Sequence, residues 1–289
     1  MITMKVKSKC IICGNQEHFF LYDHLLLKCT SCGFITANMD IGNEEVAKIY
    51  TADYFKGEEY EDYIRDKKII QSNFISRIKY LEKVIPENKR KNILEIGCGY
   101  GFFGELARDY WNCKYSGIDI CREAIEYAST VLKLNAMRMD YLEMSNRPDE
   151  FETCVMLDVI EHLPHPDRVV AKLSDEIGKG GYLVVSTGDI GSFLARIRGR
   201  KWRMIHPPSH VHYFNRMTIN KLLCTNGFEV VDISYPVIKR SIKQIFFSLF
   251  LLNRSTKIHL AHKIYQLIPE KWLLSLNTFD IMLIIARRT

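Results

Sequence analysis

Between residues 92 and 234, short apolar runs alternate with amphipathic segments, and a last apolar run lies near residue 280. Runs of this length predict strands, and apolar residues at helical spacing predict helices on the intervening segments. The alternation predicts a doubly wound α/β fold, with a mainly parallel seven-stranded sheet covered on both faces. The predicted strands are Asn92–Ile96, Lys114–Ile118, Ala136–Met139, Phe151–Leu157, Tyr182–Ser186, Phe228–Ser234 and Asp280–Arg287, with helices at Phe102–Trp111 and Arg122–Leu132.

Two further segments show helical periodicity. Upstream of the first strand, apolar residues recur from Ile64 to Ile85 until Pro86 ends the pattern, which predicts a long amphipathic helix. The tyrosine-rich stretch before it either packs on the core or forms a lid through Tyr54, Phe55 and Tyr60. Near the C-terminus, one helical face is apolar with basic neighbours, and it predicts a lid, an oligomer interface or a membrane contact; its residues are Ile242, Ile245, Phe246, Leu249 and Phe250.

The first forty residues contain two CxxC pairs, each followed by glycine and separated by 15 residues. Such spacing predicts a zinc ion held by four thiolates, which leaves no coordination position for substrate. A structural clip is therefore favoured over a nucleic-acid-binding ribbon, since Lys5, Lys7, Lys9 and Lys28 are few for that task. The predicted ligands are Cys10, Cys13, Cys29 and Cys32.

These patterns divide the chain into five parts. We predict a zinc ribbon at 1–40, a helical lid or linker at 41–90, the core at 91–238, a helical insertion at 239–279 and a final core strand at 280–289. No apolar run has the length of a membrane span, and the N-terminus lacks the apolar stretch of a signal peptide. The expected location is cytoplasmic, with peripheral membrane contact through the C-terminal helices left open.

Charge is unevenly distributed along the 289 residues, whose net charge is +6. From Gly188 onwards there are 16 Lys and Arg against five Asp and Glu, a net charge of +11, which leaves −5 for the first 187 residues. A basic C-terminal third favours an anionic acceptor, a nucleic acid or a membrane surface.

The first core strand ends in a glycine loop of spacing GxGxG, preceded by Glu95. Glycines allow a sharp turn and close approach of a ligand to the backbone. A carboxylate at this place would attract an ammonium and repel a pyrophosphate, which favours a cationic, phosphate-free nucleoside over a dinucleotide. Asp119 ends the second strand, where it can accept both ribose hydroxyls. Asp140 follows the third, where it accepts an adenine amino group or caps a turn.

At this point the chain resembles class I S-adenosylmethionine-dependent methyltransferases, most closely a subgroup with an N-terminal four-cysteine zinc ribbon that is related to sugar C-methyltransferases. The resemblance rests on CxxCG…CxxCG, LEIGCGYG, GID, DVIEHLPHP, GKGGYLVVST and HVHYF followed by GFEV. It implies S-adenosylmethionine as cofactor. The glycine loop would hold the methionine end, Asp119 the ribose, Asp140 and Tyr141 the adenine, and Asp158 the reacting centre. The implied cofactor residues are Glu95, Gly97, Cys98, Gly99, Gly101, Asp119, Ile120, Asp140, Tyr141 and Asp158.

Candidate catalytic groups follow the fifth strand, in HPPSHVHYF. His210 matches a histidine of the related sugar C-methyltransferases, whose motif pairs it with glutamate, but Ser209 stands at the glutamate position. This difference favours O- or N-methylation, with His210 as base or orienter. Tyr213 and His162 are further candidates. Zinc binding by the histidines is disfavoured, because no acid or cysteine joins them in the sequence.

A basic stretch lies just upstream of these histidines: Arg196, Arg198, Arg200, Lys201 and Arg203, with Trp202 among them. It is either a solvated loop, a clamp for the phosphate of a small acceptor, or a contact with anionic lipid. The favoured function is methylation of a small, phosphate-bearing acceptor such as a nucleotide sugar or a glycan or glycolipid precursor. RNA or protein as the acceptor is the alternative, and the strand-four sequence lacks the motif of enzymes that methylate exocyclic base amines.

Overall fold

The computed structural model describes residues 9–39, 42, 49, 63–243, 245–246, 264–269 and 272–289, and residues 3–5 by their backbone. The predicted lid residues Tyr54, Phe55 and Tyr60 lie outside this part of the chain, as do Leu249 and Phe250 of the apolar C-terminal face. Within the described residues, no helix is both long and apolar enough to cross a bilayer.

The strands, in chain order, are β1 (Thr3–Lys5), β2 (Glu17–Leu21), β3 (Leu26–Cys29), β4 (Ile35–Ala37), β5 (Asn92–Ile96), β6 (Lys114–Asp119), β7 (Ala136–Arg138), β8 (Phe151–Leu157), β9 (Ile177–Gly188), β10 (His212–Tyr213), β11 (Phe228–Ser234), β12 (Ile238–Ser241), β13 (Leu273–Leu276) and β14 (Ile281–Arg288). The helices are α1 (Lys67–Val84), α2 (Phe102–Trp111), α3 (Arg122–Thr130), α4 (Pro166–Glu176), α5 (Phe193–Arg198) and α6 (Arg216–Thr225).

The central sheet has seven strands in the order β11-β14-β9-β8-β5-β6-β7. The five from β9 to β7 are parallel, and β14 runs antiparallel between β9 and β11. The chain therefore reverses its direction of winding between β5 and β8, which opens a crevice at the carboxyl ends of these strands. The seven-stranded, mainly parallel sheet predicted from the sequence is confirmed.

Strand β9 is longer than its apolar run predicts. It begins at Ile177, five residues before the expected start at Tyr182. The pairing with β8 shifts between Phe151 and Thr153, which face Ile177 and Tyr182 respectively, so the intervening glycines are taken up by an irregularity in the ladder. Glycine tolerates such a bulge, and the apolar pattern alone does not reveal it.

Helix α1 covers one face of the sheet. Ile78, Leu81 and Ile85 are fully buried, in one apolar cluster with Ile93 and Phe103, while Ile64 lies in a turn before the helix begins. The predicted amphipathic face is the buried one. The same helix brings Arg77, which is also buried, to the carboxyl edge of the sheet.

The N-terminal segment forms a five-stranded antiparallel sheet with one strand from the core, in the order β1-β2-β3-β4-β10. His212 and Tyr213 of β10 pair with Thr36 and Ile35 of β4. Phe34 packs against Phe214 at 5.3 Å between ring centroids. The N-terminal unit thus shares its sheet and part of its core with the rest of the chain.

The predicted helical insertion at 239–279 differs from the structure at both ends. Strand β12 pairs antiparallel with β13, and the side chain of Asn73 bonds to both backbone polar groups of Lys239. The backbone at both ends of this segment therefore forms paired strands where the sequence predicted a helix. Helical residues do follow, at 242–243, 245–246 and 264–267.

Gly101 provides a test of how tightly the glycine loop is packed. Its φ is +76°, and a Cβ atom there would lie 2.6 Å from Leu134 Cδ1 and 3.0 Å from Ala128 Cβ. Gly180 has a φ of +72°, but its nearest neighbour would be the flexible end of Lys89 at 3.7 Å. We expect Gly180→Ala to lower the free energy of unfolding by about 1 kcal/mol, and Gly101→Ala by a further 1–3 kcal/mol or so, in urea titrations. Equal losses would contradict the packing argument.

Candidate functional site

A cleft of about 210 Å³ lies at the carboxyl ends of β5, β6, β7 and β8. Nine of the ten predicted cofactor residues line this cleft. The tenth, Gly101, does not line it and lies against Leu134 and Ala128. The other wall is mostly apolar and includes His162. The side chains of this wall are Tyr63, Phe74, Phe102, Phe103, Leu157, Val159, His162, Leu163, Pro164, His165 and Val169.

The glycine loop is held by hydrogen bonds from its own backbone. Gly97 and Cys98 donate to the carbonyl of Ile118, at 2.8 and 3.0 Å. Gly97 has a φ of +71°, and a Cβ atom there would lie 2.4 Å from Val159 Cγ2. Glycine is required at this position both for the backbone angle and for the approach of the loop beginning at Asp158.

Asp119 connects the glycine loop to the next turn. One carboxylate oxygen accepts from the backbone N–H of Gly99 and the other from that of Cys121, each at 2.8 Å. Burial raises the pKa of Asp119, while the N–H donors of Cys121, Gly99 and Ile120 lower it. Because each carboxylate oxygen can accept more than one hydrogen bond, the same side chain can also receive ribose hydroxyls.

Glu95 lies at the bottom of the cleft and is buried. Its carboxyl group accepts a hydrogen bond of 2.5 Å from the Tyr115 hydroxyl. Burial raises the pKa of Glu95 to about 8, with a smaller contribution from the negative charge of Asp119, whereas the bond from Tyr115 lowers it. A cation placed beside this group would favour its ionised form.

Asp140 and Tyr141 occupy the end of β7. Asp140 accepts from the backbone N–H of Leu142 at 2.8 Å and so caps a short 3-10 turn, while also lining the cleft. The Tyr141 hydroxyl points into the protein, where it donates to Glu176 at 2.8 Å, and Lys172 lies over its ring. The Tyr141 hydroxyl is thus used in a buried network, and only other parts of the residue line the cleft.

Asp158 has a left-handed backbone, with φ of +57°, at the end of β8. Its backbone N–H and one carboxylate oxygen both bond to the Ser186 hydroxyl, at 3.0 and 2.8 Å. Arg77 from α1 lies 3.7 Å from the other oxygen, and its own side chain is only 8% exposed against 47% for Asp158. A buried guanidinium therefore holds a carboxylate that faces the cleft.

The histidines form a cluster behind the apolar wall. The rings of His162 and His210 meet edge to face at 4.5 Å, and His206 lies 3.8 Å from His210. Burial is the first cause that lowers the pKa of His162, to about 4, and it also lowers that of His210, with neighbouring histidines adding to the effect. His162 reaches the cleft, and His210 lies behind it.

Tyr213 was predicted as catalytic, and its placement argues against this role. It is 3% exposed, packs with Leu26 and Ile35 of the N-terminal sheet, and donates its hydroxyl to the carbonyl of His210 at 2.8 Å. His212 is likewise engaged, with Thr36 at 3.1 Å and the carbonyl of Pro164 at 3.3 Å. Both side chains join the N-terminal sheet to the core.

The four predicted zinc ligands converge. Sγ of Cys10 lies 3.5 Å from that of Cys32, and Cys13 and Cys29 form a second pair at the same distance. All four sulfur atoms lie within 4.8 Å of one another. The chemistry of the donor set suits a soft or borderline metal ion.

The basic stretch lies beyond the carboxyl end of β9. Trp202 is buried and donates to Asp280 at 2.9 Å; Arg203 lies 3.5 Å from the same carboxylate, and Arg200 pairs with Asp23 at 2.9 Å. Three members of the stretch therefore have structural contacts. Arg196, Arg198 and Lys201 are exposed and have no ion-pair partner among the described residues.

A family model described as a methyltransferase domain matches residues 65–233. The match covers more than half of the chain and includes the glycine loop, Asp119, Asp158 and the histidine cluster. The chain belongs to this methyltransferase family. The matched domain is that of an S-adenosylmethionine-dependent methyltransferase, and the cleft at the carboxyl edge of the sheet contains residues predicted to hold this cofactor.

Curated relatives match about half of this chain. A ubiquinone biosynthesis O-methyltransferase of Nitrosomonas europaea is 24% identical over 148 residues, 48% of this chain and 62% of the relative. One from Coxiella burnetii is 28% identical over 169 residues, 55% of this chain and 71% of the relative. The chain spans about three fifths of the length of the first relatives that it matches.

Solved structures share the methyltransferase fold. Magnesium protoporphyrin IX methyltransferase from Synechocystis PCC 6803, with bound S-adenosylhomocysteine (SAH), is 13% identical with a TM-score of 0.57, covering 86% of this chain and all of that one. A possible histamine N-methyltransferase from Thermotoga maritima is 16% identical with a TM-score of 0.51, covering 78% and 95%. Both have the Rossmann-like methyltransferase architecture.

Sequence reasoning did not find several residues of the methyltransferase site. Tyr115 and Ser186 lie inside strands, where hydroxyl groups give no motif. Arg77 lies on a helix about eighty residues before Asp158, and only the tertiary fold brings them together. Glu161 was quoted within DVIEHLPHP but assigned no task. In β6 the residues from Tyr115 to Ile118 are all buried, so no alternation along this strand could have indicated which way Tyr115 faces.

Glu95 predicts a proton linkage of cofactor binding. At pH 7 a carboxyl group with a pKa of about 8 is mostly protonated, and a cationic ligand beside it should expel the proton. We expect binding of S-adenosylmethionine at pH 7 to release up to about one proton per chain, measured by calorimetry in buffers of different ionisation enthalpy. Glu95→Gln should remove the release and weaken binding.

Glu105→Gln is the matched control, because Glu105 on α2 pairs with Lys67 of α1 and does not line the cleft. It should leave the proton release unchanged. Equal release by the wild type and Glu95→Gln would contradict the assignment of Glu95.

Independently of ligand, the raised pKa means that the folded chain binds the Glu95 proton more tightly than the unfolded chain. Glu95 should therefore make stability fall as pH rises from about 4.5 to about 8, and Glu95→Gln should flatten this dependence.

Proposed function

We propose that this enzyme methylates a hydroxyl group of a small, phosphate-bearing acceptor, such as a nucleotide sugar or a glycan or glycolipid precursor. The observation that carries the preference for oxygen over carbon is the environment of Ser209. Its hydroxyl lies 2.6 Å from Nδ1 of His206, and its carbonyl 2.7 Å from Nδ1 of His162. The position that bears a glutamate in the related C-methyltransferases thus orients histidines here and supplies no second base.

The chemistry needed for an oxygen acceptor is modest. Bound S-adenosylmethionine supplies a methyl group on a positively charged sulfur, which is already activated for transfer. The acceptor oxygen bonds to the methyl carbon as the carbon–sulfur bond breaks, the electron pair stays on sulfur, and the hydroxyl proton passes to a base or to solvent. Much of the acceleration then comes from holding the acceptor oxygen in line, which this cleft provides through rigid walls.

His162 and Asp158 are two of the polar residues that line the cleft. With a pKa of about 4, His162 is neutral at pH 7 and is a weak base. Asp158 is fixed by Ser186 and Arg77, so its carboxylate can accept a hydrogen bond from the acceptor without moving. We infer that Asp158 orients the hydroxyl, and that His162, in contact with His210, shapes the adjoining part of the cleft wall.

The exposed cations Arg196, Arg198 and Lys201 support an anionic acceptor. They follow β9 at the edge of the sheet where the cleft opens, but do not line it, so they would bind a part of the acceptor that extends outside. Phe193 and Ile197 lie beside them, 80% and 66% exposed. A phosphate attached to a lipid or sugar would complement both properties of this surface.

We also propose that the four cysteines hold a structural zinc ion. A tetrahedral zinc with Zn–S bonds of about 2.3 Å separates its sulfurs by about 3.8 Å, close to the distances within the two cysteine pairs. With four thiolates it would have no position for substrate. Its role would be to stabilise the sheet that pairs with β10 and so to position the histidine segment.

The proposed acceptor class can be tested by a labelling experiment in a cell extract. We expect that methyl-labelled S-adenosylmethionine, incubated with the protein and a cell extract, will give label in small, phosphate-bearing molecules of the aqueous or organic phase. An O-methyl ether should survive mild base. Label in RNA or in protein, after separation by size and nuclease or protease digestion, would overturn the proposal and support a macromolecular acceptor.

Charge reversal tests the basic surface. Once an acceptor is identified, the triple variant Arg196→Glu, Arg198→Glu, Lys201→Glu should raise its KM roughly tenfold or more, with kcat changed little, because these cations contact a remote part of the acceptor. Added salt should raise the KM of the wild type and not of the variant. Lys179→Glu, at the opposite end of β9, is the control. An unchanged KM in the triple variant would refute the role of this surface.

A further inference from the structure

Glu161 is a buried carboxylate with no hydrogen bond of ordinary geometry. It is 2% exposed, and in the described part of the chain neither its carboxylate oxygens nor the hydroxyl of Thr187 has a hydrogen-bond partner at normal distance and angle. Thr187 is a polar neighbour of this carboxyl group. The backbone carbonyl of Glu161, by contrast, accepts from Val211 and His212 at 2.9 and 3.0 Å, which fixes the residue against the histidine segment. An unpaired carboxylate in such a place is costly unless a cation or a proton accompanies it.

Two histidines face this carboxylate. The ligand atoms of Glu161, His162 and His210 all lie within 4.8 Å of one another, and all three residues are buried. Nδ1 of His162 lies 2.7 Å from the carbonyl of Ser209, and Nδ1 of His210 lies 2.9 Å from the carbonyl of Met204. A carbonyl only accepts, so both Nδ1 atoms carry the proton, and the Nε2 atoms are the ones suited to coordinate.

This arrangement has the features of a metal site with its outer contacts in place. Metal-binding histidines commonly donate the second ring N–H to a backbone carbonyl, which fixes the ring and the tautomer. The expectation that no acid joins the histidine cluster is therefore wrong, because the fold brings Glu161 to it.

We propose that Glu161, His162 and His210 bind a divalent transition-metal ion, with zinc as the first choice. Two imidazoles and one carboxylate are a donor set that zinc accepts in sites with an open position. The site is separate from the four cysteines, so the chain would bind two ions of different ligand chemistry.

An ion in this place would lie directly behind the cleft, since His162 is both a ligand and part of the cleft wall. Three protein ligands leave a coordination position for water or for an acceptor oxygen. An acceptor hydroxyl bound to the ion would lose its proton more easily. The reaction would then not need a strong base, which the weakly basic histidines do not provide. This role rests on the proposed O-methylation, whereas the metal site itself rests only on the three side chains.

The test is metal stoichiometry and spectroscopy on the full chain. After removal of metal and reconstitution with zinc, the wild type should contain roughly two ions per chain by elemental mass spectrometry. Glu161→Gln and His210→Asn should each contain roughly one. Glu176→Gln is the matched control, since Glu176 is equally buried but bonds to Tyr141 and the backbone of Arg147, and it should keep both ions.

Cobalt distinguishes the two sites, because only the cysteine site gives thiolate charge-transfer absorption. The wild type should bind a second equivalent of cobalt that adds visible bands without increasing the thiolate charge-transfer absorption. Glu161→Gln should not bind this second equivalent. Once the cysteine site has been filled, further zinc should raise the melting temperature of the wild type and leave that of Glu161→Gln unchanged. Saturation of the wild type at one thiolate-bound equivalent would overturn the proposal. Because no acceptor is used, this result is independent of whether the proposed methylation is found.

Discussion

The constraint on which the site depends is the burial of several carboxylates at one edge of the sheet. Glu95, Asp119 and Glu161 lie in or after strands β5, β6 and β8, and burial raises the pKa of all three. A tyrosine hydroxyl compensates Glu95, and two backbone N–H groups compensate Asp119. Asp158, which follows β8 and is 47% exposed, is held by a serine and a buried arginine. Such an edge attracts cations and disfavours a pyrophosphate, which is the electrostatic preference that a sulfonium cofactor requires.

The N-terminal sheet is the second determinant, and its influence reaches the cleft through β10. Pairing of β4 with β10 fixes His212 and Tyr213, and the Tyr213 hydroxyl holds the carbonyl of His210. His210 in turn meets His162 in the cleft wall. The N-terminal sheet is therefore joined to the wall of the cleft by a continuous series of contacts.

The sequence was sufficient for the features that depend on local pattern. Strand and helix periodicity predicted the seven-stranded sheet, and the glycine spacing together with Glu95 predicted the cofactor loop. It was insufficient where a role depends on residues distant in the chain. Arg77 is unremarkable on its helix, yet it pairs with Asp158 across the fold. Tyr213 looked catalytic because it stands among histidines, but a two-residue strand turns it towards the N-terminal sheet. Glu161 was passed over because His210, which completes its group with the adjacent His162, lies in another segment.

The uneven charge along the chain corresponds to two different places in the fold. The first 187 residues, with a net charge of −5, supply the acidic edge, and the remainder, at +11, supplies the exposed cations beyond β9. Methyl transfer removes the positive charge of the sulfonium, so the attraction between the acidic edge and the cofactor is weaker after the reaction than before it. On the acceptor proposed above, a phosphate would keep its charge throughout. The electrostatics of the acidic edge therefore favour release of the spent cofactor, whereas the proposed phosphate-bearing product would be retained by its remote contacts and would leave more readily at higher ionic strength.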